Sequence, residues 1–314
     1  MTNLNLSFKR PNFAEKLSDQ YAGSRPLAVA VVYPCDGVSL RGAVLSAQKG
    51  VIRPILIGPR DRIEELAGAG GLDIEDIDIV DVQYDFEAAE TAAAMARDGK
   101  VDAIMKGSLH TDVLMKALLA REAGLRTGRR MSHVFAIDHP GYHKLLLITD
   151  AAVNMMPTLV EKKDIVQNAI DLAHKLGNPQ PKVAILAAVE TVESNVEATL
   201  HAAALCKMAD RKQIKGGLLD GPLALDNALS AQAARIKGIE SPVAGDADIL
   251  MMPNYEAGNM LAKEMEHIGG AHTAGIVIGA KVPVILTSRA DTEETRLASC
   301  LLAKAYVKGV RERV

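Results

Sequence analysis

The chain has 314 residues, a length that accommodates one large or two ordinary domains with a substantial core. Its 36 basic and 39 acidic residues, 3% aromatics and lack of Trp exclude an extended nucleic-acid footprint and a base-stacking platform. Cys35, Cys206 and Cys300 are far apart and without CxxC spacing, which argues against a zinc site or disulfide framework and for a reducing, cytoplasmic setting.

The first residues lack a signal-peptide pattern, and no apolar run approaches the roughly 20 residues that cross a bilayer. From Leu27 onward, apolar runs alternate with helical patterns. Strands are predicted at Leu27–Val32, 54–57, 78–82 and 101–105, with helices at 38–49, 63–67 and 86–97 between them. A polar cluster, Arg129, Arg130, Ser132 and His133, precedes a strand at 134–137, and a long apolar run occupies 145–149. The rhythm then repeats: helix 164–176, strand 183–187, helix 194–209, strand 214–219, helix 224–237, strand 249–252 and helix 260–268. Ser194 and Glu197 have capping-box spacing. Asp220-Gly221-Pro222-Leu223 reads as a tight turn, and Asn259 as a helix cap. Strands at 275–279 and 284–287 and a helix from about Thr292 complete the chain.

Such βαβα alternation predicts a parallel sheet covered by helices on both faces. The loop-like stretch 149–161 marks a junction, and a Gly- and Ala-rich return near 269–280 brings the chain back. The predicted division is two α/β domains with a ligand cleft between them: residues 1–150 plus 276–314, and residues 151–275.

Two strand ends carry chemistry. Ser288 and Arg289 follow the strand at 284–287 and precede a helix, a natural place for an anion, and a guanidinium matches phosphate oxygens. Spacing alone favours a helix cap formed by Asp291 and Glu294, with Arg289 a surface charge. Lys106-Gly107-Ser108-Leu109-His110-Thr111 also joins strand to helix. Gly107 permits close backbone approach, while Lys106, Ser108, His110 and Thr111 supply polar contacts. Arg130 and Ser132, and Asn259 with Lys263 one turn further on, complete the polar candidates. No GxxxxGK[ST], strand-linked GxGxxG, GxSxG or HExxH occurs, and His139 and His143 are separated by Pro140 and Gly141, so no metal site is predicted.

The segments KGSLHT (106–111), RRMSHVF (129–135), TDAAVNMMP (149–157), DGPLALDNA (220–228), SPVAGDADILMMPNYEAGN (241–259) and VPVILTSRAD (282–291) together resemble the phosphate acetyltransferase/phosphate butyryltransferase family, nearest its butyryl-type or hydratase-associated branch without the hydratase domain. The resemblance implies two three-layer α/β/α domains of isocitrate/isopropylmalate-dehydrogenase-like architecture, a cleft active site and a homodimer. It implies reversible transfer of a short acyl group between coenzyme A and phosphate, both as substrates, with no bound cofactor and no metal. The family's serine–arginine pair falls on Ser288 and Arg289. Its catalytic aspartate falls on Glu294 or Thr295, leaving Asp291 and Glu294 as candidate bases. Two other readings share the architecture. One is a metal- and NAD-dependent decarboxylating dehydrogenase, for which Asp220, Asp226, Asp246 and Asp248 are the carboxylates to consider. The other is a non-catalytic module that binds coenzyme A or an acyl phosphate.

Overall fold

A computed structural model describes residues 12–288 and 291–311. After α1 (Phe13–Gln20), the chain forms β1 (Leu27–Val32), α2 (Gly37–Gln48), β2 (Ile52–Gly58), α3 (Arg60–Gly70), β3 (Asp78–Asp81), α4 (Asp85–Arg97), β4 (Ala103–Lys106) and α5 (Thr111–Leu119). Then follow β5 (Ser132–Asp138), β6 (Leu146–Thr149), α6 (Leu159–Lys175), β7 (Lys182–Leu186), α7 (Glu197–Asp210) and β8 (Leu218–Leu223). The last elements are α8 (Leu225–Leu229), α9 (Ala231–Ile236), β9 (Ile249–Met251), α10 (Tyr255–His267), β10 (His272–Ile278), β11 (Val284–Ile285) and α11 (Glu293–Arg311).

Among the described residues the strands form one sheet, ordered β3-β2-β1-β4-β11-β10-β5-β6-β9-β7-β8. Each flank is parallel, as the alternation of strands and helices predicts. The centre is not: β10 runs antiparallel to both β11 and β5, and β5 antiparallel to β6. No helix separates β5 from β6 or β10 from β11, so each pair returns through a short connection that only antiparallel strands allow. Residue 150 therefore lies just after the central strand β6, and residue 276 inside β10.

β1 is buried at all six positions, and its side chains alternate between faces. Val29 and Val31 join a core that runs the width of the sheet, whereas Ala30 and Val32 join a smaller one on the opposite face. That opposite face carries two separate cores, one around α4 and α5, the other around β6, β9 and α10. The gap between them frames the site described below.

Several elements depart from the sequence reading. The strand predicted at 214–219 lies at Leu218–Leu223 and absorbs Asp220-Gly221-Pro222-Leu223. β8 is an edge strand, and its pairing with β7 is irregular between Ala184 and Leu186, beside Pro222. Residues 224–237 form two helices, broken at Ser230, whose hydroxyl caps α9 through the Ala233 N–H. α7 begins at Glu197 behind Val196 with no side-chain cap; the Ser194–Glu197 box does not form, and the Thr199 hydroxyl instead accepts from the Glu193 N–H at 2.9 Å. α10 starts at Tyr255, capped by Asn254, which puts Asn259 in the helix interior.

Candidate active site

Lys106 is the last residue of β4. At Gly107 any Cβ would collide with the carbonyl oxygens of Val32 and Tyr33, so only glycine lets the chain cross the end of β1. The crossing is locked by Gly107 N–H to the Val32 carbonyl and Ser108 N–H to the Tyr33 carbonyl, each 2.9 Å. The Ser108 hydroxyl donates to the Tyr33 carbonyl (2.8 Å) and accepts from the Cys35 N–H (3.2 Å). His110 then enters α5 with extended backbone and no side-chain cap bond. The positive end of α5 is thus offered to the adjacent space.

The second strand end is that of β11, only two residues long. Beyond it, buried Arg296 of α11 donates to the Thr287 hydroxyl (2.8 Å) and the Ser288 carbonyl (2.7 Å). The Ser288 N–H donates to Asp291 Oδ2 (2.7 Å), and the Asp291 N–H returns to the Ser288 carbonyl (3.3 Å). Burial raises the Asp291 pKa, and Glu266 adds to this, while the Ser288 hydrogen bond, Arg296 and Lys263 oppose it. Burial lowers the Arg296 pKa, with Asp291 and Asp36 partly offsetting it. Arg289 and Ala290 lie outside the described residues.

These two turns face each other across a cleft of about 480 Å³. Lys106, His110 and Thr111 line one wall, Thr287 and Ser288 the next, and Tyr255, Asn259 and Lys263 the third. The last three recur every fourth residue and so share one face of α10. Asn259 Nδ2 donates to the Ala151 carbonyl (3.0 Å), fastening that helix to the end of β6. His133 and Phe135 of β5 form the floor. Lys106 is 5% exposed, and no carboxylate is among the described residues lining the cleft. Two lysines, a helix N-terminus and hydroxyls in such a space attract and orient an anion.

The remaining predicted residues sit elsewhere. Ser108 holds the loop to β1. Ser132 is fully buried, its hydroxyl bonded by Asn168 Nδ2 at 2.9 Å. Arg130 reaches Asn154 Oδ1 (2.7 Å) through Nε and pairs with Glu161 (3.1 Å). Glu294 pairs with His272 at 3.1 Å and lines a separate cavity with Glu266 and Thr295.

His133, Asp150, Tyr255 and Arg296 are not among the site residues expected from the sequence, although His133 belongs to its polar cluster. The buried Asp150 carboxylate accepts from the N–H groups of Ala152 (2.8 Å), Val153 (2.9 Å) and His133 (3.1 Å) and from Asn154 Nδ2 (2.6 Å). It ties the start of β5 to the end of β6 beneath the cleft. Both His133 and Asp150 lie in segments that carried the family resemblance, which was the available signal. Among the described residues, no group of three or more His, Cys, Asp or Glu side chains could hold a metal ion. No described helix is long and apolar enough to cross a membrane.

Fold and cleft together define an α/β protein with an anion-attracting site at converging strand ends. Residues 86–304 match the family model described as "Phosphate acetyl/butaryl transferase". The chain is 52% identical over 297 residues to the phosphate acetyltransferase of Rhizobium meliloti, covering 95% of this chain and 94% of that one. It is 43% identical over 281 residues to the phosphate butyryltransferase of Clostridium acetobutylicum, covering 90% and 93%. A crystal structure of a branched-chain phosphotransacylase from Enterococcus faecalis V583 superposes with a TM-score of 0.78 at 29% identity, covering 90% of this chain and 99% of the other. The chain belongs to the phosphate acetyl/butyryl transferase family, a family of acyltransferase enzymes.

Proposed function

We propose that the protein transfers a short acyl group, acetyl or butyryl, reversibly between coenzyme A and inorganic phosphate. The observation that carries this reading is the cleft, where Lys106, Lys263, the start of α5 and Ser288 converge, with Asp291 accepting from the Ser288 N–H. Such a site neutralises a phosphate and the charge that develops on transfer.

In this reading substrate binding falls to Lys106, His110, Thr111, Asn259 and Lys263. Ser288 and Arg289 hold the phosphate, while Ser108, Ser132 and Arg130 support the walls. The coenzyme A thiolate is the nucleophile, so a base must take the thiol proton. Asp291 is the better of the two carboxylate candidates. It adjoins Ser288 and its pKa is raised by burial, whereas Glu294 is paired with His272 on another cavity. The division into residues 1–150 plus 276–314 and residues 151–275 remains our reading, its boundaries falling just after β6 and inside β10. We also read the protein as a cytoplasmic homodimer. Supporting the dimer are exposed Met155, Met156 and Val160 near the start of α6 and exposed Met260 on α10.

The test is phosphate-dependent release of coenzyme A from acetyl- to hexanoyl-CoA, with Ser288→Ala and Arg289→Ala beside the wild type. Each substitution is expected to lower kcat/KM by about 10²–10³-fold. A folded Arg289→Ala protein with unchanged kcat/KM for phosphate removes that residue from the mechanism.

A further inference from the structure

The cleft contains one imidazole to which the reading above assigns no role. His133, the second residue of β5, is 1% exposed and lines the cleft with Lys106, Asn259 and Ser288. Its Nδ1 is buried without a hydrogen-bond partner. Buried side-chain nitrogens are nearly always satisfied, so an orphan beside a ligand cleft calls for an explanation.

The ring is held from several sides. Phe135 packs against it edge-on, with ring centroids 4.4 Å apart. Opposite lies Gly275 of β10, where a Cβ would fall 2.8 Å from His133 Nε2 and 3.3 Å from the Leu286 carbonyl oxygen. The glycine therefore makes room for the imidazole directly beside the segment that leads to Ser288. The His133 N–H is fixed by Asp150, and the His133 carbonyl accepts from the Thr149 hydroxyl at 2.7 Å. Burial pushes the imidazole pKa down to about 4, against the opposing pull of Asp150. The ring is thus neutral at working pH, with one N–H to donate. A low pKa makes a poor proton acceptor from a thiol but leaves a competent hydrogen-bond donor.

We propose that His133 is a catalytic residue, donating a ring N–H to the acyl carbonyl oxygen as that oxygen becomes an oxyanion. The proposal rests on the acyltransferase reading. The thiolate sulfur forms the C–S bond with its lone pair, and the carbonyl π pair moves onto oxygen, where His133 stabilises it. The pair then returns, and the C–O bond to phosphate breaks with its electrons leaving on phosphate. The proton lost by the thiol ends on the released phosphate, which balances the reaction with the imidazole neutral throughout.

His133→Phe keeps a ring and removes both nitrogens, whereas His133→Gln restores a donor. The Phe variant is expected to lose about 10²–10³-fold in kcat, the loss seen when one oxyanion donor is removed. KM for coenzyme A and phosphate and the melting temperature should stay near wild type, and the Gln variant should recover part of kcat. Unchanged kcat in folded His133→Phe overturns the proposal, as does an equal loss in both variants with lowered melting temperatures, which marks a packing role. Should His133→Phe fail to fold, Gly275→Ala displaces the ring instead, and wild-type kcat in that protein overturns the proposal too. An inactive wild type rejects the acyltransferase reading, whereas an active wild type with an active His133→Phe rejects only the role given to His133.

Discussion

Arg296 shows how one side chain organises a strand end. Buried, with two short bonds to Thr287 and Ser288, it sets the position of the turn that presents the Ser288 hydroxyl. Its Cδ would lie 2.6 Å from a Cβ at Gly42, so α2 yields space to it. His133 carries a consequence beyond catalysis. Its folded pKa of about 4 lies below the ordinary 6.5. Between those values an unfolded chain binds a proton that the folded chain does not. Stability therefore falls as pH drops through that window, and this loss is complete below about 4. Denaturant melts at pH 7.5 and 5 should show a smaller pH-dependent loss for His133→Gln than for wild type. An equal loss in both proteins excludes His133 as the source.

At the scale of elements, the site depends on two strand-to-helix crossings. Gly107 is the tighter one, because its backbone passes against the carbonyls of Val32 and Tyr33. Gly107→Ala should destabilise the protein by about 1–3 kcal/mol through overpacking. The denaturant midpoint should fall with an unchanged slope, and activity should fall too because Lys106 and His110 flank the displaced residue. A wild-type midpoint would mean that the loop relaxes freely. The helices also show what local sequence signals resolve. Thr158 and Glu161 form a true capping box at the start of α6, several residues before the helix read from periodicity alone. Ser194 and Glu197 have the same spacing but make no box, because the chain turns through Val196 and Thr199 instead.

For the whole molecule, the exposed methionines bear on assembly. Met155 and Met156 are 74% and 71% exposed, and the Met155 carbonyl accepts from the Tyr255 N–H at the start of α10, the helix that bears Met260. Sedimentation equilibrium should give twice the chain mass for wild type, and Met155→Asp with Met156→Asp should shift it to the monomer. A monomeric wild type rejects the dimer. Much of the architecture was legible in the residues alone. β1 is an unbroken apolar run because both its faces are buried, and the polar turns at 106–111 and 286–291 announced themselves as strand-to-helix junctions. Their convergence was not legible, since pairing between strands distant in the chain sets which turns meet. The burial of Ser132 and the cleft position of His133 follow from that pairing, whereas the turn into α11 carries Glu294 away from Ser288 to His272. Alternation places side chains on faces, but only the assembled sheet decides which face is covered and which is left open as a cleft.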